Sequence, residues 1–228
     1  MRLTMLGQST VIIELEGGMV IVTDPWFESF GFMRGVPPAM GPGDIPRCDL
    51  MLVSHNHIDH FDNAAVRLAV DRGAGVIGSR RAAKRATKKG CRDVTSVAPG
   101  DTVERGGIKI HATRAFHPLA KDAVGFVVDA GKKLYFSGDT RREPALVSEV
   151  AAFEVDVALV QVACSTYFGR EDGMDAREAA LFVDEIGAAL AVPIHYQVRG
   201  KVIDPQEFVK LLPPGRGLAL PPGQPTDL

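Results

Sequence analysis

A short apolar run that is followed at once by four potential metal ligands constrains this chain most. Residues 51–53, Met-Leu-Val, predict a buried strand, and the sequence His-Asn-His-Ile-Asp-His occupies positions 55–60. Alternate residues of an extended segment point to the same side, so His55 and His57 can reach one ion together. Asp59 and His60, beyond the bend, can turn toward a second ion. The alternative, a polar loop whose histidines cluster by chance, leaves this spacing unexplained.

The metal-ligand segment is predicted to lead into a helix over about 63–72, with Asp62 as its N-cap. The pattern H-x-H-x-D-H after a buried strand resembles the signature of the metallo-β-lactamase superfamily. This resemblance implies an α/β fold, the four-layer αββα sandwich, with two sheets face to face, helices outside and the site along one edge. The strand-then-helix rhythm in both halves of the chain agrees with that fold independently of the signature.

The resemblance also implies three further ligands that lie far apart in the sequence. His117 follows a predicted strand in Phe-His-Pro and matches the isolated histidine of the superfamily. Asp139, in Gly-Asp-Thr, matches the carboxylate that bridges two metals, and His195, in Pro-Ile-His-Tyr, matches the terminal histidine. The implied sets are His55, His57 and His117 for the first metal, and Asp59, His60 and His195 for the second, with Asp139 shared.

Two divalent metal ions are therefore the expected cofactors. Imidazoles and carboxylates without a thiolate suit Zn²⁺, with Mn²⁺ or Fe²⁺ as alternatives. Such a pair would lower the pKa of a bridging water toward about 7 and present it as hydroxide to an electrophilic carbonyl or phosphorus. Asp59 is the predicted catalytic residue, which would orient the nucleophile or accept its proton.

Composition limits the class of protein and its partners. A chain of 228 residues, 46% of them hydrophobic, is expected to form a single domain over residues 1–228. A net charge of −2 gives no global attraction to nucleic acid or to an anionic membrane, so we expect a small-molecule substrate and no nucleic-acid partner. No apolar run approaches the roughly 20 residues that span a bilayer. Three widely spaced cysteines and a strand-like N-terminus without a leader pattern predict a cytoplasmic protein.

Two irregular segments flank the predicted strands. Residues 25–47 are rich in proline and glycine and carry several aromatic side chains, so we expect an apolar flap in which Trp26 and Phe27 contact the substrate. The alternative is a loop that its aromatic residues pin to the core. Tyr167 and Tyr196, which follow two later strands, are further candidates for substrate contact. The tail from about residue 221 is expected to be flexible because of its proline and glycine content.

The form Ser-His-Asn-His-x-Asp-His-Phe-Asp resembles the branch that contains L-ascorbate 6-phosphate lactonase and N-acylphosphatidylethanolamine phospholipase D. It implies a hydrolase acting on a lactone, an ester or a phosphodiester. Gln8 departs from that branch, where many members have histidine in a Gly-His-Ser segment. A non-catalytic metal-binding or sensing protein is one alternative. A nuclease-type phosphodiesterase that uses the basic helix over residues 79–89 is another, although a solvated surface helix is the simpler interpretation.

Overall fold

The computed structural model describes residues 1–28, 34–167, 169–198 and 201–228, and in these residues most strands belong to two facing sheets. The first sheet has the order β17-β1-β2-β3-β4-β5-β6. Its strands are β1 (Arg2–Gly7), β2 (Thr10–Glu14), β3 (Val20–Thr23), β4 (Leu50–Val53), β5 (Gly75–Ser79), β6 (Val94–Val97) and β17 (Thr226–Asp227). Strands β3, β4, β5 and β6 are parallel neighbours, so their carboxyl ends lie at one edge.

The second sheet has the order β14-β11-β10-β9-β8-β7. Its strands are β7 (Thr102–Arg105), β8 (Ile108–Arg114), β9 (Val124–Ala130), β10 (Lys132–Phe136), β11 (Val157–Gln161) and β14 (Leu190–Ile194). Two short hairpins pair β12 (Thr166–Tyr167) with β13 (Arg170–Glu171) and β15 (Gln197–Val198) with β16 (Lys201–Val202). Strands β10, β11 and β14 are parallel, and they too end at a common edge.

Helices cover the outer faces of both sheets. They are α1 (Asn63–Arg72), α2 (Arg80–Lys88), α3 (Pro144–Ala151), α4 (Ala176–Ile186) and α5 (Pro205–Val209), with a 3-10 turn at Pro42–Asp44. Helix α2 packs on β5 and β6, whereas α4 packs on β11 and α5 on β14. The predicted sandwich is confirmed. The helix predicted after the metal-ligand segment is also confirmed, because Asp62 caps α1 by accepting a hydrogen bond from the Ala65 N–H at 2.7 Å. None of the helices in the described residues is long and apolar enough to cross a membrane.

Strand β4 shows why the first sheet is buried on both faces. Leu50 and Leu52 pack into the core between the sheets, and Met51 and Val53 pack with Phe61 into a second core under α1 and α2. Because side chains alternate along a strand, four consecutive apolar residues supply both layers. The strand is thereby held rigidly, and the ligand segment that follows it starts from a fixed position.

The C-terminal tail, for which flexibility is predicted from about residue 221, pairs with the first strand of the chain. Residues 226 and 227 form β17, which pairs antiparallel with β1 through Arg2 opposite Asp227 and Leu3 opposite Thr226. The Gly223 N–H also donates to the Met5 carbonyl at 2.8 Å. Local proline and glycine content indicated disorder, but pairing with a strand more than two hundred residues away satisfies the backbone of this segment.

Candidate metal centre

The seven residues predicted to bind metal follow strand ends that meet between the two sheets. The first sheet contributes the segment after β4, and the second contributes the segments after β8, β10 and β14. A direct backbone link joins the two edges, because the Val124 N–H donates to the Ser54 carbonyl at 3.1 Å. His55, His57, Asp59 and His60 therefore face His117, Asp139 and His195 across the seam.

Three imidazole nitrogens form the first cluster. Nε2 of His55 lies 3.0 Å from Nδ1 of His57, which lies 3.3 Å from Nε2 of His117. Burial lowers the pKa of His55 well below its usual value and lowers that of His117 to about 4, so both rings are neutral at pH 7. Three neutral nitrogens at these separations are the donor set that a divalent cation requires.

The second cluster gathers around the carboxylate of Asp139. Its Oδ2 lies 3.1 Å from Nε2 of His60 and 3.3 Å from Nε2 of His195. Oδ2 of Asp59 lies 3.8 and 4.0 Å from the same two nitrogens. Donor atoms of Asp59, His60 and His195 all lie within 4.8 Å of one another, as do those of His55, His57 and His117.

The pKa of a histidine is shifted upward in the second cluster, whereas burial shifts the histidine pKa values downward in the first. Burial disfavours the imidazolium form of His60, but the carboxylates of Asp139, Asp59 and Asp24 together raise its pKa well above the usual value. Burial likewise disfavours the Asp139 carboxylate, yet His195 and His60 hold its pKa well below the usual range. The site thus concentrates negative charge that a proton or a cation must balance.

The unpaired atoms of the site fit divalent cations. Oδ1 of Asp139 and Nε2 of His60 are buried without a hydrogen-bond partner among the described residues. Such orphaned atoms are costly in a folded protein unless something else binds them. The residues present therefore match the group that the signature implies.

Asp24, at the end of β3, is a site residue that the sequence interpretation missed. Its carboxylate accepts a hydrogen bond from Nδ1–H of His60 at 2.7 Å and from the Ser54 N–H at 2.6 Å. The Ser54 hydroxyl also donates to Asp24, and Nδ1 of His55 lies 2.9 Å from that hydroxyl oxygen. Asp24 can be grouped with His55 and His60 as a metal-binding set by distance alone. We instead assign Asp24 to orienting the metal-binding histidines, because its oxygens already accept hydrogen bonds from these donors.

Backbone strain concentrates at the same place. Gln8, Asp24 and His195 have φ values of 55°, 31° and 50°, and Glu154 is the remaining non-glycine residue with positive φ in the described residues. Left-handed conformations cost energy for such residues and are retained where the surrounding structure requires them. Asp24 follows an apolar strand, as Asp139 does, and that position was the available signal for it.

The structure describes the side chains of three of the four predicted substrate contacts, namely Trp26, Phe27 and Tyr196. Trp26 and Phe27 are buried, the Arg34 guanidinium lies 3.6 Å from the Trp26 ring centroid, and Phe27 packs in the core under α1. Tyr196 is 8% exposed and packs in the core between the sheets. The side chain of Tyr167 lies outside the described residues. The burial of the first three favours a packing role, and their contact with substrate stays a prediction.

The described part of the predicted flap is anchored on both sides of residues 29–33. Asp62 accepts hydrogen bonds from the Phe27 and Glu28 N–H groups at 2.7 and 2.6 Å. Gln197 accepts hydrogen bonds from the Gly35 and Val36 N–H groups at 3.1 and 3.0 Å. These contacts fit the alternative of a pinned loop, whereas residues 29–33 lie outside the described residues.

Comparison with known proteins gives the class and then the family. Residues 20–196 match the family model described as the β-lactamase superfamily domain, so the fold and the ligand segment belong to that superfamily. The chain is 30% identical to a UPF0173 metal-dependent hydrolase of Korarchaeum cryptofilum, over 100% of this chain and 99% of the relative. It is 31% identical to one of Methanopyrus kandleri, over 91% and 90% of the two chains. The chain therefore belongs to the UPF0173 metal-dependent hydrolase family.

Solved structures agree on the fold. A metallo hydrolase of Ignicoccus hospitalis superposes with a TM-score of 0.80 at 22% identity, over 99% of this chain and 97% of the other. An isothiocyanate hydrolase from Delia radicum gut bacteria superposes with a TM-score of 0.83 at 17% identity, over 100% and 99%. At these identities the similarity concerns the fold alone.

Proposed function

We propose that this protein is a hydrolase that uses two divalent cations, held by His55, His57 and His117 and by Asp59, His60 and His195, with Asp139 between them. The observation that carries the proposal is the convergence of both donor sets from opposite sheets. Cations bound there would supply Lewis acidity and ionise water near neutral pH. Zinc suits the first set of three imidazoles, and manganese or iron are alternatives for the second.

Asp59 differs from the other donors in its access to solvent. Its side chain is 22% exposed, whereas those of His60 and Asp139 are 0% and 6% exposed. A carboxylate at the mouth of the site can hold the attacking water in line with the substrate and accept its proton. His60 stays fixed by Asp24 beneath it, so the proton-accepting group and the ligand scaffold are separate side chains.

The substrate class in this proposal is a lactone or other ester, or a phosphodiester. The support is the form of the segment 54–62, which resembles lactonase and phospholipase D members of the superfamily. In both substrates negative charge develops on oxygen bonded to the carbon or phosphorus that water attacks, and a site built for that charge serves either one. A cytoplasmic location belongs to the same proposal and is supported by the three free cysteines.

The test joins metal analysis to paired assays. The purified protein is expected to contain two divalent ions per chain by elemental analysis and to hydrolyse either a panel of lactones or bis-p-nitrophenyl phosphate. Turnover of one class alone removes the other. A protein loaded with two ions and inert toward both classes would favour the alternative of a metal-binding or sensing protein.

A groove beside the metal-binding segment supports a second candidate, a nuclease-type phosphodiesterase. It runs along α2 and is lined by Asn56, Arg81, Lys84, Arg85, Lys88 and Lys89. Among the cationic side chains that line this groove in the described residues, Arg81 forms an ion pair, with its guanidinium 3.7 Å from the carboxylate of Asp122. Like charges at i and i+4 on a helix repel, and a polyphosphate backbone would relieve that repulsion. This candidate requires binding to single-stranded RNA or DNA that weakens steeply with salt; absence of such binding at 50 mM salt rejects it.

A further inference from the structure

Gln8 touches the second donor set, although sequence reasoning left its role open. The side chain is 2% exposed, and Nε2 of its amide lies 2.9 Å from Nε2 of His195. The backbones are joined as well, because the His195 N–H donates to the Gln8 carbonyl at 2.8 Å. Both residues have left-handed φ, so the contact is built by two strained positions that hold each other.

The amide of Gln8 is free to present either of its terminal atoms to the site. Oε1 is buried and has no hydrogen-bond partner among the described residues, and Nε2 has the His195 nitrogen as its partner. A half-turn about the last side-chain bond exchanges the two atoms and therefore gives up no other hydrogen bond. Before the turn, the N–H group of the amide would block the lone pair of His195. After it, the carbonyl oxygen can bind the same cation as His195.

The spacing fits a shared cation. Ligand atoms about 2.0 to 2.2 Å from one ion lie roughly 3 Å or slightly more from each other. The 2.9 Å between the Gln8 amide and His195 is close to the 3.0 and 3.3 Å between neighbouring nitrogens of the first cluster. A buried amide with an orphaned oxygen at this distance has the position of a ligand.

We propose that Oε1 of Gln8 is an additional ligand of the second cation, beside Asp59, His60 and His195. This inference rests on the proposed metal centre and concerns its second half. The second set then combines a carbonyl oxygen and carboxylate oxygens with two imidazoles, whereas the first set consists of three imidazoles. Oxygen-rich sets favour Mn²⁺ or Fe²⁺ relative to imidazole-rich sets, so the two halves of the centre differ in metal preference.

The experiment measures binding of Mn²⁺ and Zn²⁺ to protein stripped with a chelator, by equilibrium dialysis, for the wild type, Gln8→Met and Gln8→His. Methionine keeps the length and volume of glutamine without the oxygen donor. We expect Gln8→Met to bind the second Mn²⁺ at least roughly tenfold more weakly, with the first ion unchanged. Gln8→His should bind the second Zn²⁺ at least as tightly as the wild type while its Mn²⁺ affinity falls.

Gln197→Met is the matched control, because Gln197 is an equally buried glutamine near the site whose side chain holds the Gly35 and Val36 N–H groups instead of a metal-binding residue. It should retain the second Mn²⁺, and thermal unfolding of the stripped proteins verifies that each variant is folded. Equal loss in Gln8→Met and Gln197→Met, or two Mn²⁺ ions bound by Gln8→Met with wild-type affinity, would overturn the role of Gln8. A wild-type protein that binds no second ion would instead reject the proposed dinuclear centre.

Discussion

The carboxylate of Asp24 lies 2.7 Å from Nδ1 of His60, and neither side chain is exposed to solvent. Because Nδ1–H donates to Asp24, Nε2 is the nitrogen of His60 that faces Asp139 and is left to bind a cation. The Ser54 hydroxyl extends the same control to His55, whose Nδ1 it meets at 2.9 Å. One buried carboxylate thus orients a ligand of each proposed cation.

Replacing Asp24 by alanine is expected to weaken metal binding by roughly 10- to 100-fold, as for other outer-shell partners of metal-binding histidines. It also leaves the Ser54 N–H and Nδ1–H of His60 buried without acceptors, so the free energy of unfolding should fall by about 1–3 kcal/mol. Metal dialysis and urea unfolding measure the two effects. Asp71→Ala, at an exposed position of α1, is the control and should change neither. A folded Asp24→Ala protein with wild-type metal affinity would contradict the assignment.

Replacing Asp59 by alanine should abolish hydrolysis without unfolding the protein. Its partly exposed carboxylate caps no helix, so its removal leaves no buried donor unpaired. Asp62→Ala is the instructive contrast, because Asp62 accepts hydrogen bonds from Ala65, Phe27 and Glu28. That variant should lose about 1–2 kcal/mol of stability. Assays and thermal unfolding on both variants separate the roles, and retained turnover in folded Asp59→Ala would refute the mechanism.

Gly138→Ala should destabilise the protein by about 1–3 kcal/mol and weaken metal binding, because Asp139 is the next residue. Gly138 has φ of 54°, and an added Cβ would lie 2.6 Å from Cβ of Ser54. Relief of that contact must displace either strand end of the site. Gly131→Ala, at φ of 89° with open space around it, should show the conformational cost without the loss of metal affinity. Urea unfolding and metal titration of both variants provide the check.

The metal-free protein should lose stability as the pH falls from about 6.5 to about 4. Burial lowers the pKa of His117 to about 4, so in this window the unfolded chain binds a proton that the folded chain rejects. The contribution of His117 to the free energy of unfolding is complete above pH 6.5 and decreases as the pH falls. The loss reaches about 3 kcal/mol at pH 4. His117→Gln in a chelator-treated sample should flatten this part of the profile. An unchanged slope in urea unfolding at several pH values would show that His117 does not titrate in this way.

Deletion of residues 223–228 should lower the free energy of unfolding by about 1–3 kcal/mol, because it removes β17 and several backbone hydrogen bonds to β1. It also exposes the edge of β1, which favours association between chains. Urea unfolding gives the first effect and size-exclusion chromatography the second. A truncated protein as stable as the full chain would mean that the pairing is too weak to matter. Asp227→Ala, which removes the exposed contact to Arg2, should have little effect on stability.

The sequence predicted those parts of the site that depend on local pattern. Positions 55–60 and the cap at Asp62 could be recognised because an apolar strand, alternating ligands and a helix start lie within a few residues. Asp24 was missed because an aspartate before proline at a strand end is equally typical of a turn. The pairing of residues 226 and 227 with β1, and the burial of Trp26, depend on contacts between distant segments, which composition does not reveal.

Each proposed cation takes donors from both sheets: His55 and His57 come from one side of the seam and His117 from the other, and His60 meets His195 in the same way. The ions would therefore cross-link the two sheets of the sandwich. A protease cut in the connection between β6 and β7, at the Gly100 turn, would leave two pieces that still share the core between the sheets and the pairing of β17 with β1. Removal of the ions with a chelator should then weaken the association of the two pieces.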